Sequence, residues 1–162
     1  MATPRWCGEP WPDIRARAIA EDAPLFMPVQ PHADDRGWSY MNLFAGALEA
    51  TGQVNFSVQN PGVVKAWRCH EHQTDFWCCL NGHVKAGVYR ATDQQCWAQV
   101  MGDRCPGVLV IPPGLWHGRS VVGTTPAGVL SYVDQTYDAV CPDEQRRPAD
   151  CVPGFPWHAD PR

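Results

Sequence analysis

Several things are missing from this sequence of 162 residues, and each absence removes a class of protein. No apolar stretch approaches the roughly 20 residues that a bilayer-spanning helix needs, so no membrane partner is expected. No cluster of Lys or Arg stands out, and the formal net charge is -4. The basic stripe of a nucleic-acid reader is therefore absent, and nucleic acid is not an expected partner. No CxxC pair occurs among the 8 cysteines. Cys78 and Cys79 are adjacent in an apolar run and Cys69 sits between polar neighbours, a poor framework for disulfides. The opening Met1–Cys7 carries no apolar leader core, so reduced thiols and a cytoplasmic location are expected.

What is present reads as a globular chain rich in turns. Hydrophobic residues make up 44% and charged ones 19%, enough apolar material for one domain over 1–162 with its core near 34–140. The 16 prolines and 14 glycines fall between short apolar runs, which suits many strands better than long helices. One short helix is expected over Ile14–Ile19, inside an irregular, Pro-rich segment that fills residues 1–30. Asp34-Asp35-Arg36-Gly37 reads as a turn leading into a strand over Trp38–Phe44. Val54–Val58 alternates apolar and polar, the period of a half-buried strand. Further strands are expected over Val63–His72, Phe76–Leu80, His83–Tyr89, Cys96–Val100, Val108–Ile111, Ser120–Val122 and Val129–Val133. Asn81-Gly82 has the chemistry of a hairpin turn joining two of them. Short, evenly spaced strands predict an antiparallel sandwich or barrel, with a second Pro-rich segment from Cys141 onward packing over a neighbouring surface.

The densest chemistry lies between Lys65 and Asp75. Strand residues two apart share a face, so Arg68, His70 and His72 are expected to project together, with Lys65, Trp67, Cys69 and Glu71 not all on that side. Pro112-Pro113-Gly114 forms a turn that could aim His117 into the mouth of the barrel. Any one of these histidines alone reads as a hydrogen-bonded polar side chain; the combination reads as a site. Two chemistries fit. Imidazoles of His70, His72 and His117 with the Asp75 carboxylate suit a divalent transition metal. Without a metal, a histidine can abstract a proton while a carboxylate orients it.

Longer motifs add a resemblance. Gln53-Val54-Asn55-Phe56-Ser57-Val58-Gln59-Asn60-Pro61-Gly62-Val63-Val64-Lys65 resembles the core QxNxSxSxxGVLRGLH of the dTDP-4-dehydrorhamnose 3,5-epimerase family. Asp35-Arg36-Gly37 resembles its DxRG turn. Ile111-Pro112-Pro113-Gly114-Leu115-Trp116-His117-Gly118 resembles IPxGxAHGF, and Tyr132, Tyr137, Asp143-Glu144, Asp150 and Trp157 resemble its closing motifs. The resemblance implies an all-β cupin jelly-roll barrel, usually a homodimer, that epimerises or isomerises a dTDP-4-keto-6-deoxyhexose without a cofactor. Residue by residue it implies substrate contacts at Arg36 (phosphate), Lys65, Gln53, Asn55, His117 and Trp116, with Tyr132 as acid and Asp150 as partner of the base.

The chain departs from the family at the centre of this motif. Counting from Gly62, the family's catalytic histidine falls on Arg68, and a guanidinium stays protonated and is a poor base. Its enolate-holding lysine falls on Asp75. His70, two residues on, is expected to take over as base with Arg68 as electrophile. Alternatively His70, His72, Asp75 and His117 hold a metal and Arg68 clamps an anion. A non-catalytic binding module is the third alternative, favoured if Arg68 is buried in an ion pair with Asp150. Trp67, Trp77, Trp116 and Tyr89 are expected along the barrel wall, with Trp38 near its mouth.

Overall fold

The computed structural model describes residues 1–8 and 10–158. The chain passes through β1 (Arg5–Trp6), helix α1 (Trp11–Glu21), β2 (Leu25–Pro28), β3 (His32–Asp34), β4 (Gly37–Ser39), β5 (Gln53–Gln59) and β6 (Val64–Cys69). It continues through β7 (Asp75–Asn81), β8 (His83–Arg90), β9 (Gln95–Gly102), β10 (Gly107–Ile111), β11 (Trp116–Val121), β12 (Ala127–Val133) and β13 (Gln145–Arg146). One sheet has the order β1-β2-β10-β7-β12-β5 and the other β13-β6-β11-β8-β9, while β3 and β4 form a separate hairpin. This is the expected cupin jelly roll, mostly β with one short helix.

Alternation along the strands builds the core between the sheets. Val84, Ala86 and Val88 of β8 face Trp77 and Cys79 of β7, together with Leu109, Ile111 and Val129. The opposite face of the six-stranded sheet carries Phe76, Cys78, Val108, Val110 and Tyr132, and α1 covers them with Trp11, Ile14 and Ala18. Those three helix residues sit three and four apart, one stripe of a 3.6-residue period, which is why Ile14 is buried while Ile19 points outward. On the outside of the five-stranded sheet, the C-terminal segment lays Val152 and Trp157 over Trp67, Cys69 and Trp116.

Three local expectations change in the fold. Asn81-Gly82 does turn the chain, with Gly82 at φ +67°. Yet β7 pairs with β10 and β12 whereas β8 pairs with β9 and β11, so the turn carries the chain from one sheet to the other and closes no hairpin. A side chain at Gly82 would lie 2.9 Å from the Pro126 carbonyl oxygen, so both the left-handed backbone and the close approach call for glycine. Second, the N-terminal segment is not irregular throughout, because β2 adds to the edge of β10. Third, the strand expected over Trp38–Phe44 ends at Ser39; Asn42 and Phe44 are left-handed at φ 56° and 61°, and Phe44 turns inward beneath α1.

Candidate active site

At one end of the space between the sheets a cavity of about 400 Å³ opens to solvent. Its floor is built from three buried polar side chains. Asp75 begins β7, His117 lies near the start of β11, and His70 immediately follows β6; their exposures are 5%, 2% and 8%. Asp75 Oδ2 lies 3.6 Å from His70 Nε2 and 3.7 Å from His117 Nε2. The two imidazole centroids are 5.2 Å apart.

Hydrogen bonds around this trio set which atoms face one another. His117 Nδ1 donates to the Leu115 carbonyl at 3.0 Å, and His70 Nδ1 donates to the carbonyl of Asp143. A carbonyl only accepts, so each Nδ1 carries a hydrogen and each singly protonated ring presents the lone pair of Nε2 toward Asp75. Asp75 is itself held: Gln73 Nε2 donates to its Oδ2 and Trp77 Nε1 to its Oδ1, both at 3.2 Å. Burial pushes the His117 pKa down, against the opposing pull of the Asp75 charge.

The loop carrying His70 is fixed by residues remote in sequence. The Asp143 carboxylate accepts the backbone N–H groups of Glu71, His72 and Gln73 at 2.7, 2.9 and 3.1 Å. Burial opposes ionisation there, but these bonds and nearby His70 outweigh it and hold the carboxyl below the usual range. Next to it, Glu144 meets Arg68 at 3.2 Å.

Cations line one wall, and a register shift puts them there. His117 pairs with Arg68 while Arg119 pairs with Lys65, so three steps on β6 oppose two on β11. Strict alternation would send Lys65 and Arg68 to opposite faces; the bulge brings both into the cavity wall. Arg119 shares the inward face of β11 with His117, two residues away. Its guanidinium stacks 4.7 Å above the Trp77 ring, and its Nη2 donates to Ser57 Oγ at 2.9 Å. Burial, then the Arg68 charge, lower the Arg119 pKa to about 10. The Lys65 pKa is also lowered, by burial and then by Arg119 and Arg68.

The structure brings together much of the expected set. Gln53, Asn55, Lys65, Arg68, His70 and His117 line the cavity, as do His72 and Asp75. His72 is exposed, and among the described residues the close three-ligand group is His70, Asp75 and His117 without it.

Four expected site residues lie elsewhere. Tyr132 faces the α1 side of its sheet, because Ser131 and Val133 take the cavity face of β12. Asp150 is exposed on the C-terminal segment and does not meet Arg68, whose partner is Glu144. Trp116 packs outside the five-stranded sheet under Arg147, whose guanidinium lies 3.9 Å above its ring. Arg36 is exposed on the β3–β4 hairpin and is bonded to Asp34. Of the aromatic wall only Trp77 lines the cavity; Trp67 and Tyr89 join the outer cluster, and Trp38 is 58% exposed. Arg119, Tyr137, Asp143 and Glu144 are among the cavity residues to which the sequence assigned no role. For Arg119 the signal was its two-residue spacing from His117; for the acidic pair, which approaches from the far end of the chain, the signal was its resemblance to the family's closing motif, which gave it no role.

A jelly roll with a polar cavity between its sheets, floored by two histidines and a carboxylate, has the architecture of a cupin with a candidate active site. The chain is 34% identical over 140 residues to the spore coat polysaccharide biosynthesis protein SpsL of Bacillus subtilis, covering 82% of this chain and 93% of SpsL. It is also 34% identical over 112 residues to the probable low-salt glycan biosynthesis epimerase Agl13 of Haloferax volcanii, covering 65% of this chain and 72% of Agl13. The dTDP sugar isomerase of Desulfovibrio desulfuricans G20 shares the fold with a TM-score of 0.74, over 85% of this chain and 92% of that one, at 24% identity. No protein-family model matches the chain. The chain belongs to the RmlC-like dTDP-sugar epimerase family of cupins.

Proposed function

We propose that the protein abstracts a proton from a carbon next to the ketone of a dTDP-4-keto-6-deoxyhexose, with His70 Nε2 as base. The observation carrying this assignment is the His70–Asp143 hydrogen bond, which leaves Nε2 as the lone-pair nitrogen facing the cavity beside Asp75. Asp75 then stabilises the imidazolium that forms, the part the family resemblance gave to Asp150. Arg68 occupies the position of the family's base and, as a permanent cation, serves as an anion clamp at the rim, steadied by Glu144. Return of the proton falls to Tyr137, the tyrosine among the described residues that lines the cavity.

A homodimer belongs to the same proposal. It is supported by edge strand β5, which leaves Val54, Phe56 and Val58 at 55%, 56% and 59% exposure.

The test is deuterium uptake from D2O at C3 and C5 of dTDP-4-keto-6-deoxyglucose, using chelator-treated protein. Uptake above the uncatalysed rate that is abolished by His70→Ala supports the proposal. Full uptake by His70→Ala removes His70 as base.

One observation favours a second reading, a divalent metal on His70, Asp75 and His117. Their ligand atoms lie within 4.8 Å of one another, and both Nδ1–H groups are tied to carbonyls in the manner of oriented metal ligands. A tetrahedral ion with bonds of about 2.1 Å spaces its ligand atoms about 3.4 Å apart, close to the two measured separations. Such an ion would supply a Lewis acid for the substrate oxygen. Stoichiometric zinc, iron or manganese in purified protein, lost in Asp75→Ala, would support this reading over the metal-free one.

A further inference from the structure

Arg119 poses a charge problem that the protein does not solve by itself. Among the described residues no carboxylate lies within ion-pair distance of it, whereas Arg68 has Glu144 and Arg15 has Asp134. Its Nε is sealed from solvent without a hydrogen-bond partner, and its Nη2 reaches only the neutral Ser57 hydroxyl. Lys65 stands opposite it in the β6–β11 register and adds a second positive charge to the same wall. Two cations brought together in a partly dehydrated cavity repel each other, and the Asp75 charge offsets the burial of Arg119 only in part. Such an arrangement becomes favourable when a ligand supplies the anion.

The place of Arg119 narrows what that anion is. Trp77 touches both Arg119 and the floor: its ring lies beneath the guanidinium and edge-on to His117, with centroids 5.2 Å apart at 81°. Trp77 also donates to Asp75. Arg119 is thus held in the same packed unit as the groups that face the reacting carbon. Arg68, by contrast, is 47% exposed at the rim, where a nucleotide diphosphate would remain in contact with water.

We propose that Arg119, supported by Lys65, binds the ketone oxygen and stabilises the negative charge that develops on it when the neighbouring carbon loses its proton. The proposal rests on the enolisation reading above and assigns the oxyanion role within that site. The proton passes to His70 Nε2, the C–H electron pair becomes the C=C bond, and the carbonyl π pair moves onto the oxygen facing Arg119. Reprotonation of carbon returns that pair to the carbonyl and frees the guanidinium. Asp75, which stands where the family's enolate-holding lysine falls, leaves that cation to be supplied from β11.

Arg119→Met and Arg119→Lys test this, with thermal melting as the folding control. Deuterium uptake is measured as kcat, and dTDP alone is titrated by calorimetry. Arg119→Met is expected to lower kcat about 100-fold or more, the usual cost of losing an oxyanion donor. Its affinity for dTDP should stay within about threefold, its melting temperature should be unchanged or higher, and Arg119→Lys should recover part of the rate. Weakened dTDP binding with unchanged kcat would assign Arg119 to the diphosphate and overturn the proposal. Unchanged kcat and unchanged dTDP binding would make it structural. Absence of uptake by the wild-type protein would remove the enolisation reading itself, and this proposal with it.

Discussion

The hydroxyl of Tyr132 accepts a hydrogen bond from the backbone N–H of Glu49 at 2.6 Å, on the side of its sheet away from the cavity. Its ring packs against Phe44 and Phe76, with centroids 6.0 and 5.3 Å away. Tyr132→Phe should therefore leave deuterium uptake within about threefold of wild type. It should destabilise the fold by about 1–2 kcal/mol, because the Glu49 N–H loses its partner. Urea unfolding read alongside the exchange assay separates the two effects; a large loss of uptake in stable protein would contradict this placement.

Asp134 closes the joint between helix and sheet. Its buried carboxylate meets Arg15 of α1 at 2.7 Å and accepts the Thr74 N–H at 2.8 Å, next to the strand that carries Asp75. Asp134→Ala leaves the Thr74 amide without its partner and leaves Arg15 only Glu49, 3.8 Å away. A loss of about 3 kcal/mol in unfolding free energy is expected.

Acid should release the His70 loop. Asp143 is held below the ordinary carboxyl range, so its contribution to stability is complete above that range. It is lost as pH falls through the lower, folded-state value. Below about pH 4 the melting temperature of wild type should fall more steeply than that of Asp143→Asn, which cannot titrate. Parallel curves would show that the three N–H bonds to Asp143 do not favour its ionised form.

Cysteine reactivity should divide by burial. Burial and the neighbouring thiol push Cys78 up to about 12, and burial followed by the Asp103 charge pushes Cys79 up to about 11. Cys141 and Cys151 are exposed. Brief alkylation of native protein at pH 8, followed by peptide mass spectrometry, should label Cys141 and Cys151 and spare Cys78 and Cys79.

The sequence by itself determined where most strands lie, which positions turn, and that polar chemistry concentrates between Lys65 and Asp75. These are local properties: alternation assigns faces, Gly and Pro interrupt the strands, and a short spacing on a strand keeps its residues near one another. It also carried the family motifs, and with them the jelly roll. Tertiary structure decided the rest, because strand pairing, bulges and charge compensation depend on residues far apart in the chain. The Asn81-Gly82 turn looks the same locally whether it closes a hairpin or changes sheets. The shift between His117 and Arg119 turns Lys65 inward, which no period-two count along β6 can show. Asp143 and Glu144 arrive from some seventy residues away to fix the His70 loop and to satisfy Arg68, so Arg119 becomes the cation left for a ligand only once every other chain segment has packed.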